Sequence, residues 1–94
     1  MTEVAASPAT AASSNLATLA IGYTDMTVFA ADVVNSLRQT VGLASLRAAV
    51  HEKRRTGPVS DRAAFAIAQL ADLREIAGRG PVRHALASHW RCAR

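Results

Sequence analysis

From residue 16 onward the apolar side chains Leu16, Leu19, Tyr23, Met26, Ala30, Val33 and Leu37 recur at alternating steps of three and four. That spacing keeps them on one side of a helix and is incompatible with a strand, whose sides alternate every two residues. Sustained over three heptads, it is also the seam of a coiled coil. Ile21, Val28, Val34 and Val41 widen the stripe, and Ser14 or Asn15 can cap its start. The pattern predicts one long helix over 15–41 with a broad apolar face. Such a face has two uses. It can be the core side of a small bundle, or a dimer or partner face whose contact residues are Leu16, Leu19, Tyr23, Met26, Val33 and Leu37.

Gly42 ends this helix, and Leu43, Leu46 and Val50 mark a second, shorter one. It runs into "HEKRRTGP", residues 51–58, where Thr56-Gly57-Pro58 reads as a loop. Ser60 is placed to cap a third helix, with Gly78 just past its end. Ala63, Ala66, Ile67, Leu70, Leu73 and Ala77 form the apolar face of that helix. Phe65 and Ile76 fall on its polar side, so they either meet another element or form an exposed patch. Pro81 suits the first position of a fourth helix over 81–91. The expected fold is therefore all-α, with three to four helices: one long N-terminal helix and a C-terminal helix-turn-helix-like hairpin. Residues 1–13, rich in Ala, Ser and Thr without period, read as a disordered tail ahead of a single domain over 14–94. Half the chain is apolar and 21 residues are Ala, so the core is built from small side chains that favour close helix contact.

Charge is uneven along the chain. Residues 1–46 carry a net charge of −2, and residues 47–94 carry +6, with nine of their ten basic side chains being Arg. A basic half points to a polyanionic partner, and Arg suits phosphate forks and base edges better than Lys. Arg54 and Arg55, with Lys53 and Arg47, fit either phosphate contact or the negative end of a helix dipole. The single Cys92 excludes an internal disulfide and suits a reducing, cytoplasmic setting. The longest uncharged run, Val4–Thr24, holds Pro8 and many Ser and Thr residues, too polar for a membrane span. No acid–base pair or phosphate loop emerges, so the reading is non-enzymatic. His84, His89 and Cys92 fall short of the four ligands of a structural zinc site, and no cofactor is implied.

The last two helices are expected to be joined by Gly78-Arg79-Gly80 alone, a helix-turn-helix spacing. The second helix of that motif enters the major groove with its N-terminal residues at the base edges. Here those residues are Arg79, Arg83 and His84, with Val82 and Leu86 turned toward the third helix. "GRGPVRHAL", residues 78–86, resembles the start of the recognition helix in GntR-type winged-helix transcription regulators, Ser-Arg-Gly/Thr-Pro-Val-Arg-Glu-Ala-Leu. The resemblance implies that Arg79 and Arg83 contact DNA and that Val82 and Leu86 pack inward. "LRAAV" at 46–50, "TGPVSDRA" at 56–63 and "LADL" at 70–73 are looser similarities to the preceding part of such domains. Gly78 and His84 depart from the family's Ser and Glu, and no two-stranded wing follows. Two functions are expected from these features. One is a small DNA-binding protein of the transcription-regulator type, working as a homodimer. The other is an interaction or scaffold protein that oligomerises through helix 15–41.

Overall fold

Asp25 divides the N-terminal apolar stripe. Its backbone is extended, and its carboxylate accepts the Thr27 N–H at 2.8 Å, so a new helix starts at Met26. The structure, a computed structural model, describes residues 16–52 and 57–92, with only the backbone of Arg91 and Cys92. Helical backbone runs over 16–21 (α1), Met26–Val41 (α2), Leu43–Val50 (α3), Asp61–Ala77 (α4) and Arg79–Cys92 (α5). There is no strand among the described residues, in keeping with the all-α expectation. The expected count of three to four helices is corrected to five among the described residues, because the helix expected over 15–41 is broken into α1 and α2. The expected tail over 1–13, the candidate caps Ser14 and Asn15, and the basic residues Lys53, Arg54 and Arg55 lie outside the described residues.

The break between α1 and α2 has a local cause and a distant one. The Gly22 and Tyr23 N–H groups donate to the Leu19 and Ala20 carbonyls at 3.1 and 3.0 Å, a tight three-residue turn that closes α1. The Tyr23 hydroxyl then donates to the Asp32 carboxylate at 2.6 Å, one helical turn and more along α2. That bond raises the pKa of the Tyr23 hydroxyl, with partial burial adding to it. The Tyr23 ring also tilts against Phe29, with centroids 5.1 Å apart.

Two glycines make the other sharp junctions. Gly42 (φ 88°, ψ 156°) and Gly78 (φ 93°, ψ 160°) share one conformation, which side chains with a Cβ rarely adopt. Each N–H donates at 2.9 Å to the carbonyl four residues back, Arg38 and Arg74 respectively. Each glycine thus ends one helix and permits another to start at the next residue. Ser60 caps α4 as its position suggests, accepting the Ala63 N–H at 3.1 Å.

Phe29, Val34, Leu46, Leu70, Leu73 and Val82 are the largest fully buried side chains, drawn from α2, α3, α4 and α5. Ala30, Ala49, Ala63, Ala66 and Ala85 are buried between them, which lets the helices approach closely. The face of α4 read from the sequence is the one that packs: Ala63, Ala66, Leu70 and Leu73 are buried. The placement of α5 differs from the expected hairpin. It lies mainly along α2 and makes a smaller contact with α4, so Val82 and Leu86 are held by a shared core rather than by α4 alone. α3 packs on α4 and α2, filling the remaining side.

Candidate functional site

Gly78 sets the direction in which α5 presents its arginines. Arg79 and Gly80, expected in a loop, already belong to α5, so a single residue separates α4 from α5. Pro81 is the third helical residue rather than the first. Its missing N–H costs nothing there, because the first four N–H groups of a helix have no internal partner. Val82, Ala85 and Leu86 are buried, while Arg79, Gly80, Arg83 and His84 are exposed. Those exposed positions recur at three-to-four spacing, so Arg79 and Arg83 stand one turn apart on one strip of the helix. Asp25 and Asp32 are committed elsewhere, to the α2 cap and to Tyr23, and neither neutralises this strip.

The strip is one wall of a groove. Arg79 and Arg83 of α5, Arg74 in the last turn of α4, and Glu52 just beyond α3 stand around a space of about 760 Å³. Its apolar lining comes from Val50, Ile67, Ala71, Leu86, Ala87 and Trp90. The Arg47 guanidinium lies 5.4 Å from the Trp90 ring centre, a cation–π contact between α3 and α5. Sequence reasoning found Arg79 and Arg83 but missed Arg74 and the Arg47–Trp90 pair. Arg74 could have been found, since it precedes Arg79 by five residues across a break of only one. The pairing of Arg47 with Trp90 depends on packing and has no local signal.

The residues read as a dimer or partner face divide. Leu16 and Leu37 are buried in the chain's own core, and Tyr23, Met26 and Val33 pack partly against it. Leu19 is 54% exposed. Leu16, Leu19, Tyr23, Val33 and Leu37 together line a second, smaller groove of about 400 Å³, completed by Phe65 of α4. Phe65 is an exposed side chain that faces this groove, whereas Ile76 packs against the core. Ile21 and Val28 point outward.

Three polar side chains are less comfortably placed. Arg38 Nε and one carboxylate oxygen of Asp72 are buried without a hydrogen-bond partner. Burial, and then the neighbouring Glu75, raises the pKa of Asp72. Burial, and then the nearby Arg38 charge, lowers that of His89. Among the described residues no three His, Cys, Asp or Glu side chains gather as a metal site would require. No described helix is long and apolar enough to cross a membrane. Comparisons with protein-family models, curated proteins and solved structures found no match.

Proposed function

We propose that this chain is a small, non-enzymatic duplex DNA-binding protein that reads with the N-terminal half of α5. One observation carries the reading: Arg79 and Arg83 stand one turn apart, with His84 also exposed, at the start of a helix that Val82, Ala85 and Leu86 anchor in the core. A rigidly backed helix can hold two guanidinium groups in register with a groove edge. Arg forks onto the O6 and N7 of guanine or onto phosphate, and His donates to either. The resemblance of residues 78–86 to the recognition helix of GntR-type regulators supports the same assignment. The one-residue junction at Gly78 is shorter than the three or four residues common in helix-turn-helix motifs, so the docking angle is this chain's own.

The test is fluorescence anisotropy on a pool of labelled duplexes across a salt series. Affinity falls steeply as salt rises, because each neutralised phosphate releases counterions. The double variant Arg79→Ala/Arg83→Ala lowers the slope of log K against log salt by about two, if both guanidinium groups sit on phosphates. Absence of duplex binding at low salt rules the reading out.

A second reading, self-association through the N-terminal helices, is favoured by the groove that Leu16, Leu19, Tyr23, Val33 and Leu37 line beside the exposed Ile21. It predicts a mass and a melting midpoint that rise with protein concentration, which light scattering and calorimetry measure.

A further inference from the structure

Duplex DNA uses the charge of the arginine strip but has no apolar body to cover the apolar lining beside it. The groove between α3, α4 and α5 offers both. Among the described residues its lining holds three arginines, Arg74, Arg79 and Arg83, beside Val50, Ile67, Ala71, Leu86 and Ala87, with Glu52 as the one carboxylate. From Arg79 to Trp90 the wall formed by α5 runs about 16 Å, or three helical turns. Trp90 also lines the groove, and the Arg47 guanidinium lies over its ring. A groove of that length lined by apolar side chains and three arginines is complementary to a short helix with Leu-type residues on one face and carboxylates on its flanks.

We infer that this groove docks an acidic amphipathic helix of another protein. The apolar face of the segment lies on Ile67, Ala71 and Leu86, and its carboxylates pair with Arg74, Arg79 and Arg83. Trp90 is an aromatic anchor of the kind that dominates such interfaces. Because Arg79 and Arg83 belong to both surfaces, the docked segment and duplex DNA exclude each other. Docking itself does not depend on DNA binding.

The probe is a fluorescein-labelled peptide of about three helical turns, with Leu on one face and Glu on both flanks. Its controls are a scrambled isomer of the same composition and the same design with Lys for Glu. The full-length protein binds the amphipathic acidic peptide roughly tenfold or more tighter than either control. Arg79→Ala and Arg83→Ala each weaken it severalfold. Ala71→Gln leaves every charge in place and, because Ala71 is exposed on α4, leaves the fold intact; it puts a polar side chain into the groove. This variant weakens the peptide about tenfold and leaves the salt-dependent duplex affinity unchanged. Equal binding of the scrambled isomer reduces the site to charge alone and overturns the inference. So does retention of full peptide affinity by Ala71→Gln, or a cross-link from the groove to a second copy of this chain that the peptide fails to displace.

Discussion

The Arg47 guanidinium sits 5.4 Å from the centre of the Trp90 ring and ties the last turn of α3 to the C-terminal half of α5. Arg47 is exposed and Trp90 half-buried, so the contact is solvent-screened and contributes about 0.5–1 kcal/mol. Trp90 is the only Trp in the chain, and its emission reports on this one place. Arg47→Ala is expected to shift that emission to the red and to lower the urea midpoint slightly. The equally exposed Arg62→Ala leaves both unchanged. Emission identical to the parent in Arg47→Ala would mean that α3 and α5 are not joined here in solution.

Gly78 and Gly80 lie two residues apart and are expected to respond to the same substitution with opposite signs. Gly78 holds a backbone conformation open to little besides glycine. A Cβ there meets only Pro81 Cδ at 3.7 Å, an ordinary contact, so the cost of Gly78→Ala is conformational: about 1–3 kcal/mol. Gly80 lies inside α5, is exposed, and has nothing within 4 Å of a Cβ. Gly80→Ala therefore stabilises by about 0.5–1 kcal/mol, through the lower entropy of the unfolded chain. Urea unfolding of the two variants separates them. Matching losses would place Gly80 outside the helix, in the three-residue loop that its sequence context first suggests.

Local signals were legible, and non-local ones were not. Ser60 and Gly78 mark the ends of α4 because a cap needs only a side chain or a backbone angle at one position. The apolar period from Leu16 to Leu37 identified helix and burial but ran unbroken through the α1–α2 junction, since Tyr23 and Met26 keep the spacing while the backbone leaves the helix. What decides that break is Asp25 capping Thr27 and Tyr23 reaching Asp32, and Gly22 alone does not announce it. Pro81 suits any unbonded first-turn position, so it marks a helix start only to within two residues. Arg79 and Arg83 are legible because they lie on one helix. The groove is not, because Arg74, Val50 and Trp90 meet only once α5 has packed along α2.

Asp72 and His89 give opposite pH dependences, and their signs follow from which state binds the proton more readily. The native pKa of Asp72 is raised above the ordinary 3.8, so the folded protein binds that proton more tightly than the unfolded chain. Its ionised, partly buried carboxylate is thus a full cost above the raised value, and the cost is relieved as pH falls toward 3.8. The native pKa of His89 is lowered from 6.5, so the unfolded chain takes up that proton first. Stability is lost as pH falls from 6.5 through the lowered native value, and then levels off. Asp72→Ala removes a carboxylate whose charge is disfavoured by burial and by Glu75, and is expected to raise the urea midpoint at neutral pH. The gain disappears once pH drops below the ordinary carboxylate range. His89→Gln is expected to flatten the acid-side loss that begins near neutrality while leaving the midpoint above it little changed. Urea midpoints measured across the acid range for the parent and both variants resolve the two groups. An Asp72→Ala gain that persists undiminished at the acid end would show that the effect is helix propensity rather than the charge.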